Sequence, residues 1–123
     1  MNNKKLEAAC VIAYNVCVGT AQCLGKEPRP DWPAAHPLIR HAFMEEARWV
    51  FEGKAAGDPE KLHELRLAKL KAHGWKYGRT MDAEQKKHPF CIEWEKLSDD
   101  LKKETAMFLI TIGSIRNVFG WSA

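Results

Sequence analysis

The sequence predicts a mainly α-helical domain, a compact bundle of about four helices with a long aromatic and basic loop that has room for a short two-stranded hairpin. Three observations carry this reading. Apolar residues recur every three or four positions in separate stretches of the chain, and cap or breaker residues bound those stretches. One segment, Gly74 to Glu95, has neither helical nor strand periodicity and is long for a connector. The chain has 123 residues, enough for a single core without disulfides or metal, and its 46% hydrophobic and 28% charged composition excludes disorder.

Leu6, Ala9, Cys10, Ala13, Val16, Cys17, Thr20 and Leu24 mark the first helix, which should end near Gly25. The next stretch, KEPRPDWPAAHP, holds four prolines, so it must run extended over the surface with Trp32 as its anchor. After Pro37 the set Ile39, Phe43, Ala47, Val50 and Phe51 gives a second amphipathic helix, stopping near Gly53. Asp58-Pro59 reads as an N-cap followed by proline at the first helical position, and Gly74 closes this third helix. Ser98, with Asp99 and Asp100, caps a fourth helix whose stripe is Leu101, Thr105, Phe108, Ile112 and Ile115. The tail NVFGWSA either frays or docks through Phe119 and Trp121.

The net charge is only +3, so binding of anions must come from local clustering; a partner in bulk nucleic acid is not expected. No run of 18 apolar residues occurs and the N-terminus lacks a secretory pattern, from which a cytoplasmic protein with no membrane partner is expected. Cys10, Cys17, Cys23 and Cys91 show no C-x-x-C spacing and read as reduced core thiols.

Catalytic signatures are missing. His63-Glu64 begins like H-E-x-x-H, but Leu67 stands where the second zinc ligand belongs. There is no G-x-S-x-G, no phosphate-cradling G-x-x-x-x-G-K-[ST] and no G-x-G-x-x-G. No catalytic residue, metal ligand or cofactor is therefore expected. Cys91 lies three residues after His88, but a nucleophilic pair also needs an orienting third group.

The positive signal is the loop HGWKYGRTMDAEQKKHPF. Trp75 or Tyr77 can stack on a nucleobase for about 1–3 kcal/mol, and Lys76, Arg79, Lys86 and Lys87 can meet phosphates through charge-assisted hydrogen bonds. Gly74 and Gly78 permit close backbone approach. The competing reading makes Trp75 a plug between the third and fourth helices and the lysines a solvated rim. Trp94 can form the second wall of an aromatic slot, whereas Trp49 and Trp32 read as core anchors.

The ordered string KLHELRLAKLKAHGWKYGRTMDAEQKKHPFCIEWEKLSDD resembles the ryanodine receptor repeat (RyR) domain, through His63-Glu64, Gly74-Trp75, Tyr77-Gly78, Asp82, Lys86, His88-Pro89, Trp94 and Leu97. Arg66 stands where that family usually has Trp, Phe90-Cys91 reverses its order of Cys and a hydrophobic residue, and Glu93-Trp94 replaces Pro-Tyr. The arrangement also looks like the small standalone RyR-domain proteins of bacteria and phages. The resemblance implies one domain over residues 1–123. Residues 1–57 form a helical N-terminal extension with the proline-rich loop, and residues 58–117 form the repeat core.

What it implies about function is a non-catalytic nucleotide binder whose Trp75 stacks on the base. The implied ligand-binding set is His63, Arg66, Trp75, Tyr77, Gly78, Arg79, Lys86, Lys87, His88 and Trp94. In a phage such a protein would sequester a cyclic or adenine-containing immune messenger in the host cytoplasm. Self-association is expected of a sponge, since a symmetric dimer can enclose a ligand between shallow grooves. The alternative is a protein–protein interaction module in which Trp75 and Trp94 are buried structurally and the basic loop meets an acidic partner. A nucleotide-processing enzyme using His88 or Glu64 as acid or base is a third reading.

Overall fold

Each of the four helices begins at a side-chain cap. The computed structural model describes Met1 to Ser122, with helices α1 (Asn3–Cys23), α2 (Pro37–Phe51), α3 (Pro59–Ala72) and α4 (Asp99–Phe119). Asn2 accepts from the Lys5 amide, His36 from Leu38, Asp58 from Glu60 and Ser98 from Leu101, so each helix has one of its orphan N-terminal donors satisfied. The stop after α3 is Gly74, left-handed at φ +81°, a conformation that costs a side-chain-bearing residue.

α1 packs chiefly on α4 and also on α2, and α4 in turn packs on α2 and α3. The α1 stripe uses small residues, Ala9, Cys10, Ala13 and Cys17, all buried, which lets Phe51, Phe108 and Ile112 fill the space between helices. α1 has the length and apolar composition of a membrane span, but seven of its residues from Leu6 to Ala21 are buried against the rest of the fold. Cys10, Cys17 and Cys91 are buried free thiols; burial pushes Cys17 up to about 12 and raises Cys10 further. Cys23 departs from the expected core set: it ends α1 on the solvent side and is exposed.

The proline-rich segment lies across the bundle as a strap. Trp32 is its buried anchor, edge-on to Tyr14 at 5.3 Å, and the Tyr14 hydroxyl donates to the Pro30 carbonyl. The tail docks rather than frays: Trp121 stacks on Phe119 at 5.1 Å and lies under the Lys5 ammonium, joining the end of α4 to the start of α1.

Between α3 and α4 the expected pair of strands forms, β1 (Lys76–Tyr77) and β2 (Lys87–His88). They run parallel, in register Lys76 with Lys87 and Tyr77 with His88. The reversal is made on the other edge of β2, where Asp82 and Lys87 exchange both backbone hydrogen bonds at 2.8 and 2.9 Å in an antiparallel bridge. The Asp82 carboxylate accepts from the amides of Glu84 and Gln85, which folds the intervening turn.

Candidate functional site

Gly74 turns the chain out of α3 so that Trp75 can bond back onto it. The Trp75 amide donates to the Leu70 carbonyl at 2.9 Å, and the Cys91 thiol donates to the Trp75 carbonyl at 3.4 Å. With its backbone held on both sides, the half-buried indole borders a cavity of about 440 Å³ between α2, α3, α4 and the loop. That volume lies in the range of small-molecule sites, roughly 300–1,000 Å³. Phe43 and Trp49 of α2, Phe90 of the loop and Phe108 of α4 complete an aromatic wall.

The inner side is polar but internally paired. Arg66 of α3 grips Glu46 of α2, Nε to Oε2 at 3.1 Å and Nη2 to Oε1 at 2.7 Å. Its Nη1 reaches Thr105 of α4 at 3.1 Å and His63 Nδ1 at 3.3 Å, while His63 Nε2–H donates to the Ile92 carbonyl at 2.7 Å. Burial first, and the neighbouring Arg66 charge, hold His63 below the ordinary imidazole range even though the Ile92 bond opposes them. Arg29 of the strap pairs with buried Glu104 of α4 through a single Nη1–Oε1 contact. Each carboxylate on the inner side therefore faces its own guanidinium.

A ladder of planar groups leads from this floor to Trp75. The Arg66 guanidinium lies 4.0 Å over the Phe90 ring, Phe90 stacks on His88 at 5.2 Å with 18° between planes, and Trp75 meets His88 edge-on at 6.1 Å. His88 Nδ1 accepts the Phe90 amide across Pro89 at 3.0 Å, the same device by which His36 caps α2 across Pro37. Burial and the Arg66 charge push the His88 imidazole down to about 4. At the opposite edge Lys86, left-handed at φ +55°, sends its ammonium to the His73 carbonyl at 3.0 Å, at the end of α3.

The structure thus brings Trp75, Lys86, His88 and Arg66 to one cavity. His63 lies beneath it as a support for Arg66. Trp94 does not form a second wall: it packs on His63 at 5.8 Å with the Lys102 ammonium 5.4 Å over its ring, away from the cavity. Tyr77, 51% exposed, and Arg79 and Lys87 lie outside the cavity lining. Gly78 also lies outside it, and the close approach it permits is that of β2, since a Cβ there would fall 2.6 Å from Lys87 Cβ.

Sequence reasoning missed Trp49, Phe43, Arg29, Glu46, Glu104 and Lys69 as members of the site. A signal existed for the two acids: Glu46 sits among Phe43, Ala47 and Val50, and Glu104 among Leu101, Thr105 and Phe108, so each interrupts an apolar stripe. A carboxylate on a core face demands a buried cation. Chemically the arrangement offers an aromatic slot with neutralised polar groups. The Cys91 thiol turns to the Trp75 carbonyl and His88 Nδ1 to the Phe90 amide, so the two form no ion pair with each other. Among the described residues no cluster of His, Cys, Asp and Glu has metal-binding geometry.

Comparison with protein-family models, with curated proteins and with solved structures finds no match to this chain.

Proposed function

We propose that this chain is a small non-catalytic nucleotide-binding protein of the RyR-domain type, acting in the cytoplasm, and in the host cytoplasm if it is phage-encoded. The observation that carries the reading is the convergence of Trp75, His88 and Lys86, from one loop, on an aromatic-walled cavity of about 440 Å³. A base stacked there gains about 1–3 kcal/mol, and a charge-assisted contact from a lysine adds to it. Stoichiometric capture of a cyclic or adenine-containing messenger fits a site whose aromatic rings and Lys86 ammonium serve as binding groups. One chain builds the cavity, and self-association would serve to enclose its mouth.

A thermal-shift screen against adenine nucleotides, cyclic di- and trinucleotides and ADP-ribose derivatives tests this, since a ligand that binds only the folded state raises the melting temperature. A clear shift with one class, and recovery of that nucleotide unchanged by chromatography, is the expected result. A flat panel with folded protein overturns the reading. The exposure of Tyr77, Arg79 and Lys87 outside the cavity favours a second reading, an interaction module that meets an acidic partner, and a flat panel would direct the search to pull-downs.

A further inference from the structure

We propose that the ligand enters this cavity base first, with a hydrogen-bond acceptor of the ring against His88 Nε2–H and its phosphate left at the mouth beside Lys86. The proposal rests on the nucleotide reading above and specifies which end of the nucleotide goes where.

The proton on His88 is placed by its neighbours. Nδ1 uses its lone pair to accept the Phe90 amide at 3.0 Å, so the neutral ring must carry its hydrogen on Nε2. Burial and the Arg66 charge keep the ring neutral at physiological pH. Nε2 makes no protein hydrogen bond, yet among the described residues no fully buried side-chain nitrogen or oxygen lacks a partner, so Nε2 is not sealed inside the protein. His88 is one of the residues that line the cavity, and Nε2–H is assigned to that space. The ring cannot swing away freely, because Phe90 covers one face and Trp75 abuts it edge-on. A fixed N–H of this kind donates to a ring nitrogen or a carbonyl oxygen and discriminates against an exocyclic amine or N–H at the same place.

Charge decides the other end. Four lysines and arginines border the cavity: Arg29, Arg66, Lys69 and Lys86. Arg29 is paired with Glu104, Arg66 with Glu46 and Lys69 with Glu45. Among the described residues Lys86 alone of the four has no carboxylate partner, bonding only the His73 carbonyl, and it is exposed. A phosphate driven inward to Arg29 or Arg66 would have to strip a guanidinium from a buried carboxylate, leaving that carboxylate unpaired, and one at Lys69 would have to displace Glu45. A phosphate at Lys86 disturbs one exposed hydrogen bond.

The test is calorimetric titration of AMP, adenosine and the 1-, 3- and 7-deaza analogues of AMP into the wild type, His88→Phe and Lys86→Gln. His88→Asn serves as a second His88 variant, since its amide oxygen still accepts the Phe90 N–H while nothing occupies the Nε2 position. One deaza analogue should bind the wild type roughly 5- to 150-fold more weakly than AMP, the cost of one unmade buried hydrogen bond, and that gap should close in His88→Phe and His88→Asn. Lys86→Gln should weaken AMP and leave adenosine unchanged.

Equal binding of all three analogues to the wild type, or a gap that survives in both His88 variants, overturns the proposal and leaves the nucleotide reading standing. AMP failing to bind while another nucleotide of the wider panel does has the same meaning. A wholly flat panel overturns the nucleotide reading and this proposal together. Nitrogen-15 spectra of the imidazoles in the free protein give a readout independent of ligand: protonated Nε2 with bare Nδ1 at neutral pH is expected for His88, and an imidazolium or the Nδ1–H tautomer overturns the proposal.

Discussion

Arg66 and Glu46 form a two-pronged ion pair inside the fold, at 3.1 and 2.7 Å, with side chains only 8% and 9% exposed. The guanidinium also lies 4.0 Å over Phe90, so a planar cation is packed against an aromatic ring. Removing either partner strands a buried charge, and Arg66→Ala or Glu46→Ala should each destabilise the protein by about 3–5 kcal/mol. The double variant Arg66→Met with Glu46→Leu should recover most of that loss. Urea unfolding of the three proteins checks this, and a double variant no better than the singles contradicts the buried-pair account.

Trp75 and Trp94, which the sequence reading grouped, should separate on substitution. Trp75 borders the cavity, so under the proposed nucleotide-binding function Trp75→Ala should weaken binding by about 1–3 kcal/mol and keep a cooperative melt. Trp94 packs on His63 away from the cavity, so Trp94→Ala should cost about 2 kcal/mol of stability with ligand affinity unchanged per folded molecule. Parallel melting curves and titrations decide the matter; equal loss of affinity in both variants would restore Trp94 to the site.

The helices were legible because their determinants are local. Asp58 and Ser98 precede the helices they cap, and the three- and four-residue spacing of Leu6, Ala9, Cys10 and Ala13 is the core face itself; the caps Asn2 and His36 went unread. The loop was legible only as a cluster of residue types. Its course depends on Asp82 folding a turn and on Lys86 adopting a left-handed backbone, which together carry Lys86 to the cavity and point Arg79 and Lys87 elsewhere. The site's far wall was hidden because Trp49, Arg29 and Glu104 reach it from three separate segments, and only tertiary packing brings these together.

Lys86 joins two roles that one substitution can divide. A side chain at φ +55° carries a backbone cost of about 1–2 kcal/mol that glycine avoids, while the ammonium bond to His73 is exposed and contributes less. Lys86→Gly should therefore leave stability unchanged or slightly raised, by up to about 1 kcal/mol, and, under the proposed function, reduce nucleotide affinity. Thermal melts with and without ligand give both quantities. A variant that melts well below the wild type would show the Lys86–His73 contact to be structurally dominant.

Acid should destabilise the fold earlier than its carboxylates alone would cause. His88, at about 4 when folded, and His63, also lowered, both lie beneath the ordinary imidazole value of 6.5. The unfolded chain thus binds these protons more readily, so the stability due to the neutral rings is fully present above pH 6.5 and is lost as the pH falls toward the folded values. Asp100, lowered chiefly by its hydrogen bond from Lys26, acts in a separate window: its contribution is present above the ordinary carboxylate value of 3.8 and fades only below it. Between pH 7 and 4.5 the His88 ring alone should remove about 2–3 kcal/mol. Urea midpoints across that interval should fall more steeply in the wild type than in His88→Asn, which has no imidazole to titrate, while His63 leaves a residual slope in both. Identical slopes would mean that His88 is protonated in the folded protein without penalty, and would place its ring in contact with bulk water.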